Sequence, residues 1–286
     1  PPNPDHKVPE TYGFQRHVHS KNQPENIAFL ERMRALTDEY DARMMVGEVG
    51  DGGQTAIDIM GDYTQGDDRL HMCYSFEMLS PDFTARHFRH TIEGVHDHAP
   101  DSHSCWSFSN HDVIRHVSRW AETTLVYEEL TDPPALRFWP EVKGRDGCRT
   151  PMVWDQGEPH AGFSDAAPWL PVKDDQAVRA VAHQQNSNDS VLAAYRGTIA
   201  FRKASDALRF GKTAFLDMPE PILAFRRDHD GQALTAVFNL SRTPLSVAVA
   251  GDTDLSGPVN ATLEGGTLHL PANGFAWLTG APALTA

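Results

Sequence analysis

Arg43-Met44-Met45-Val46-Gly47-Glu48 is a short apolar run that ends in a glycine and a carboxylate. Such a run reads as a buried strand followed by a loop, because a strand covered on both faces needs no polar alternation. The pattern recurs downstream. His71 to Leu79 (HMCYSFEML) is a second strand-like run, closed by Ser80-Pro81, a good N-cap and first-turn pair for a helix whose Ala85, Phe88, Ile92 and Val95 share one face. Ser104 to Ser109 (SCWSFS) alternates Trp106 and Phe108 and ends at Asn110-His111-Asp112. Upstream, Pro24 opens a helix that carries Phe29, Met33, Leu36 and Tyr40 at i, i+4, i+7 and i+11, one face of a 3.6-residue period. The strand starts near 43, 71 and 105 are about 28 and 34 residues apart, the length of a βα unit. Strand, helix, strand, helix, strand predicts an α/β fold with a parallel sheet.

Outside that block the pattern changes. Residues up to Gln23 are rich in Pro, His and polar types without a period, which predicts an extended loop. After Trp120 a series of prolines, from Pro133 to Pro171, breaks any long element, so residues 121–185 are expected to form an irregular active-site segment. Asp189 and Ser190 offer caps to a helix with Val191, Leu192, Tyr195 and Ile199. Beyond Phe215 only short strand-like runs remain: Ile222 to Phe225, Leu234 to Leu240, Leu245 to Ala250, Thr267 to Leu270 and Phe275 to Leu278. Their spacing and Gly/Asp turns predict a small antiparallel all-β C-terminal domain over 211–286, after a first domain over 1–210.

The 286 residues hold 25 Lys+Arg against 39 Asp+Glu, a net charge of −14, with 40% hydrophobic residues. That composition excludes a disordered chain and supports a packed core. The acidic balance argues against nucleic acid or an anionic membrane as partner. No apolar run approaches the roughly 18 residues of a membrane span, and Pro1-Pro2-Asn3-Pro4 is no signal peptide. Cys73, Cys105 and Cys148 are odd in number and far apart, which predicts a reducing, cytoplasmic setting.

Catalytic residues of parallel barrels gather at the C-terminal ends of strands, so polar residues just past each apolar run carry most weight. Glu48 and His111-Asp112 stand there. A Glu and an Asp facing one cavity can serve as proton donor and charge stabiliser for an oxocarbenium-like state; the competing reading is two solvated loop carboxylates. His17-x-His19 and His96-x-His98 lie in polar surroundings without cysteine or carboxylate at ligand spacing, so no metal is expected. Trp106, Phe138 and Trp139 read as core residues, with a sugar-stacking role as the alternative for Trp139.

Val46-Gly47-Glu48, Tyr74-Ser75-Phe76 and Phe108-Ser109-Asn110-His111-Asp112 resemble, in order, successive strands of the α-amylase family of glycoside hydrolases. Arg145-Asp146-Gly147-Cys148-Arg149-Thr150-Pro151-Met152-Val153-Trp154 resembles a segment of its bacterial α-glucosidase and oligo-1,6-glucosidase branch. The resemblance runs over nearly the whole chain and implies a TIM barrel of which about strands 5–7 are present, with residues 1–23 as the loop after strand 4. By that resemblance Glu48 is the general acid/base and Asp112 the transition-state-stabilising carboxylate. His111 binds the same sugar, Arg149 holds the non-reducing glucose, and Val49 sits where linkage preference is tuned.

The family's nucleophile, an Asp in a GxRxD motif, has no counterpart here, and Ala121 to Thr124 is too short for the eighth strand and its loop. A full barrel takes about 250 residues, whereas the βα part here is about 120. A partial chain follows, and one that is inactive alone, because a retaining mechanism needs the nucleophile about 5 Å from the acid. The implied activity is retaining hydrolysis of terminal α-linked glucose from small α-glucosides or oligosaccharides, with no cofactor. The rival readings are a non-catalytic sugar- or protein-binding scaffold and a transglucosidase or sucrose-cleaving relative.

Overall fold

The computed structural model describes residues 2–4, 11–120, 131–138 and 144–286. Trp139 and the stretch around Tyr127 lie outside the described residues. The chain forms two compact units, one of residues 1–80 and 90–108, the other of 81–89 and 109–286. Among the described residues, no helix is long and apolar enough to cross a membrane.

In the first unit, helix α1 (Glu25–Thr37) leads to strand β1 (Val46–Val49), helix α2 (Gly53–Thr64) and strand β2 (Met72–Ser75). β1 and β2 pair in parallel, Val46 opposite Met72 through Val49 opposite Ser75. This is the βαβ unit that the spacing predicts, with a core of Val49, Ala56, Ile57, Met60, Cys73 and Val95, and Trp106 packed on it.

Three expectations need correction here. The third run forms no strand: only Ser104 bridges Cys73 in parallel, with Cys105 N donating to Cys73 O at 2.8 Å. β2 stops at Ser75 and the chain turns into a 3₁₀ segment, Glu77–Leu79, so the parallel strand template ends there. The helix expected to follow Ser80-Pro81 begins later, as helix α3 (Ala85–His98). Thr84 takes the capping role, its hydroxyl accepting from His87 N at 3.2 Å, while the Glu220 carboxylate accepts from Ala85 N and Arg86 N. Finally, the strand expected to be buried has Met44 and Val46 exposed among the described residues.

Helix faces divide the same way. Ala85, Phe88 and Val95 are buried as their spacing predicts. The α1 stripe is turned outward instead: Leu30 is buried while Phe29, Met33 and Leu36, with Tyr40 beyond the helix end, are exposed.

The second unit continues with helix α4 (His116–Trp120), helix α5 (Pro133–Phe138) and the single turn α6 (Asp146–Arg149), then α7 (Asp174–Ala177), α8 (Val181–Gln185), α9 (Val191–Ala204) and α10 (Asp206–Phe210). Ser190 caps α9 as expected, its hydroxyl accepting from Ala193 N at 3.1 Å. Strands β3 (Lys212–Phe215), β4 (Ile222–His229), β5 (Gln232–Asn239) and β9 (Phe275–Thr279) form one antiparallel sheet in the order β3-β4-β5-β9. β6 (Leu245–Ala250), β7 (Thr262–Glu264), β8 (Thr267–Leu270) and β10 (Ala283–Thr285) form the other, ordered β10-β6-β8-β7. Ile222, Val237, Val247, Leu268 and Leu278, from both sheets, meet in one core. Its buried Asn239 is satisfied, donating to Thr243 O and Pro271 O at 2.8 Å and accepting from Ser241.

Candidate active site

The expected site residues fall into both units. In the first, Glu48 is the third residue of β1, exposed and on the strand face opposite Val49. Its register partner on β2 is Tyr74, whose hydroxyl donates to Glu48 Oε2 at 2.5 Å. A carboxylate held by a phenol across a parallel pair is fixed in direction.

The backbone beneath Glu48 is tightly packed. A Cβ on Gly47 would lie 2.5 Å from Leu70 Cδ1 and 3.2 Å from Cys73 Sγ, so a side chain here would push both aside. Burial pushes the Cys73 thiol up to about 12, which leaves it a packing group. Val49 is buried in the core of this unit. Just past the strand, Asp51 accepts from Lys21 Nζ at 2.6 Å and Asn22 Nδ2 at 2.5 Å, tying down the preceding loop. Burial alone would raise its carboxyl, but these donors hold it below the usual carboxylate range.

In the second unit the structure brings His111, Asp112 and Arg149 together. Asn110 starts the turn, its Oδ1 accepting from Asp112 N at 2.9 Å and Val113 N at 3.1 Å. Asp112 Oδ1 then accepts from Arg149 Nη2 at 2.8 Å and Arg145 Nη1 at 3.3 Å, with His111 Nε2 3.5 Å from Oδ2. Arg149 Nε also donates to His111 O at 2.8 Å, so one guanidinium clamps both ends of the His111-Asp112 step. Arg115 fastens the two segments, donating to Cys148 O and to Thr150 O at 3.1 Å.

Behind this cluster sits a second layer that spacing alone does not reveal. Asp132, whose side chain is 4% exposed, accepts from Arg145 N at 2.8 Å, Nη2 at 3.1 Å and Nε at 3.3 Å. Burial pushes its carboxyl up, and the hydrogen bonds and charge of Arg145 outweigh that, holding it below the usual range. Asp146 in turn accepts from Thr131 N, Thr131 Oγ1 and Asp132 N at 2.5, 2.9 and 2.8 Å. Trp169, largely exposed, is tethered by its Nε1 to Thr131 Oγ1 at 3.0 Å. Asp132, Arg145, Asp112 and Arg149 thus alternate in charge, which places the exposed Asp112 carboxylate between two fixed cations.

The sequence signal for Asp132 is its position before Pro133-Pro134, where it starts α5, its carbonyl accepting from Leu136 N at 3.0 Å. That signal marks a helix start and says nothing of Arg145. His98, weighed above as a ligand, lies between Asp62 Oδ1 at 2.9 Å and Asp58 Oδ1 at 3.5 Å.

Residues 3–132 and 122–211 match the catalytic domain of α-amylase. The chain is 43% identical over 266 residues to a probable α-glucosidase of Rhizobium meliloti, covering 80% of this chain and 48% of that protein. It is 26% identical to an oligo-1,6-glucosidase of Heyndrickxia coagulans over 85% of this chain and 56% of that one. The crystal structure of the α-glucosyl transfer enzyme XgtA superposes with a TM-score of 0.85 at 36% identity, covering 95% of this chain and 57% of that chain. A trehalulose synthase of Pseudomonas mesoacidophila, at 18% identity and TM-score 0.74 over 92% of this chain and 59% of that one, shares the fold. The chain spans about half the length of the curated relatives it matches.

Proposed function

We propose that this chain, which belongs to the α-amylase family of glycoside hydrolases, carries the acid/base side of a retaining α-glucosidase acting on small α-glucosides. The observation that carries this reading is the clamp on Asp112, a surface carboxylate oriented by Arg149 and Arg145 and backed by the buried Asp132. A solvated loop carboxylate has no need of two ordered cations and a buried counter-charge. In this reading Asp112 stabilises the oxocarbenium-like transition state, His111 bonds the same sugar, and Arg149 orients Asp112 and the non-reducing glucose. Glu48, held by Tyr74, protonates the glycosidic oxygen and later deprotonates water. Val49 sets the backbone after the acid, where linkage preference is tuned.

The same reading assigns residues 1–210 to part of a (β/α)₈ barrel, with β1 and β2 as its strands among the described residues, and 211–286 to a β-sandwich domain. With no GxRxD segment in the sequence, the nucleophile must come from elsewhere.

Hydrolysis of p-nitrophenyl α-glucoside tests the reading. The chain alone is expected to give none. Joined to the part of the Rhizobium meliloti relative that it does not match, it should turn over, and Asp112→Asn should remove most of that rate. Turnover by the chain alone, or an undiminished Asp112→Asn rate, contradicts the assignment. A second reading, transfer of glucose to a sugar acceptor, is favoured by the 36% identity to the α-glucosyl transfer enzyme. Product analysis with maltose and with sucrose separates the two: free glucose alone for hydrolysis, new disaccharides for transfer.

A further inference from the structure

Trp169 is 85% exposed, the most of any large apolar side chain among the described residues, yet its placement is fixed. Leu170 beside it is buried and anchors the backbone, while Pro168 and Pro171 on either side restrict the chain torsions. The indole Nε1 donates to Thr131 Oγ1 at 3.0 Å, and that hydroxyl donates in turn to Asp146 Oδ1 at 2.9 Å. Asp146 Oδ2 also accepts from Asp132 N, the Asp132 carboxylate holds Arg145, and Arg145 reaches Asp112. Trp169 thus stands at one end of a hydrogen-bonded network whose other end is Asp112. The chain that follows it is fastened to the same region, because Gln176 Nε2 donates to Thr150 Oγ1 at 3.0 Å, one residue past Arg149.

Isolated exposed apolar residues are ordinary, but a tryptophan tied in one orientation gives up rotamer freedom without burying its ring. What such a residue offers is a rigid π-face in water. The C–H faces of a pyranose stack on a π-face, and a ring that is already ordered loses little entropy in receiving them. We propose that Trp169 is a stacking platform for a neutral sugar ring of an α-linked oligosaccharide, the ring beyond the terminal glucose. This rests on the proposed function, in which His111, Asp112 and Arg149 take the terminal glucose, so the indole bears on the leaving-group side. Thr131 is a positioning residue, since its hydroxyl is what fixes the indole. The consequence is selectivity: an oligosaccharide reaches both Asp112 and Trp169, whereas a single glucose occupies the Asp112 end alone.

The test titrates the full chain with maltotriose and with glucose, read by calorimetry and by the indole N–H resonances in NMR. Maltotriose is expected to shift the Trp169 resonance, identified by its disappearance in Trp169→Phe, and glucose to leave it in place. Trp169→Ala should weaken maltotriose binding about tenfold and leave glucose binding unchanged. Thr131→Val, which removes the tether and keeps the ring, should weaken maltotriose binding by a smaller factor. Because the Trp169 side chain is exposed, Trp169→Ala should melt as the unchanged chain does. Asp112→Asn should weaken both sugars. Three results overturn the proposal: no maltotriose binding, maltotriose binding unchanged in Trp169→Ala, or equal loss of glucose and maltotriose in that variant. The outcomes separate from those of the function. Maltotriose binding that needs Trp169 while Asp112→Asn leaves both sugars unaffected removes the reading of Asp112 and keeps the platform. Loss of both sugars in Asp112→Asn with Trp169→Ala indifferent does the reverse.

Discussion

The β-sandwich and the βαβ unit are made from comparable runs of short strands, yet only the sandwich encloses its own core. Its two sheets turn Val247, Leu268, Leu278 and Val237 onto each other, all of them fully buried. The βαβ unit has two strands and a compact core, and its helix α1 leaves an apolar stripe exposed. Burial therefore follows what a face meets: Phe29, Met33 and Leu36 on α1 are spaced at helical period like Ala85, Phe88 and Val95 on α3, yet the former are exposed and the latter buried. Stability should concentrate in the sandwich.

The largest expected effect sharpens that contrast. Leu268→Ala, at a fully buried position between the two sheets, should cost about 2–5 kcal/mol, whereas Leu36→Ala on α1 should stay within about 0.5 kcal/mol. Urea unfolding of both variants measures this, and equal losses would break the comparison.

Next comes the buried carboxylate behind the site. Asp132→Ala leaves the Arg145 backbone N–H, Nε and Nη2 without their acceptor, while Nη1 keeps Asp112, and should cost about 1–3 kcal/mol in the second unit. Its pH dependence has a defined sign. The folded carboxyl of Asp132 lies below its ordinary value of 3.8, so its contribution is present above that value and is lost as pH falls through the folded pKa. Asp51 behaves in the same sense for the first unit. Unfolding midpoints measured from pH 6 down to pH 3 should therefore drop at the acid end, less steeply in Asp132→Asn. A rise in stability there would contradict the ion-pair account.

Gly47→Ala tests the support beneath Glu48. Its new Cβ would meet Leu70 and Cys73, and about 1–3 kcal/mol of strain is expected. The smallest effect is the loss of a helix cap: Ser190→Ala should destabilise by about 1 kcal/mol, read by thermal melting.

Much of the sandwich was legible in the sequence because its signals are local. Alternation and Gly/Asp turns mark strands, and each expected run from Ile222 to Leu278 is one. The α1 stripe was legible as a helix and misleading as to its environment, since a 3.6-residue period states that a face is apolar and not what covers it. The third strand failed for a non-local reason: Ser104 to Ser109 can pair only as far as β2 extends, and β2 ends at Ser75. In the site, His111, Asp112 and Arg149 were found through motif resemblance and prove to be neighbours in one network. Asp132 carries no such signal, because it meets Arg145 across a proline-rich segment with no period to relate them, and an ion pair between loops leaves no spacing rule.

The most direct test of the central claim is the hydrolysis of p-nitrophenyl α-glucoside by the chain joined to the unmatched part of the Rhizobium meliloti relative, with and without Glu48→Gln. General acid–base catalysis contributes about 10²–10⁴-fold, so kcat/KM is expected to fall by that factor while folding is unchanged. A Glu48→Gln protein that keeps the full rate would contradict the account.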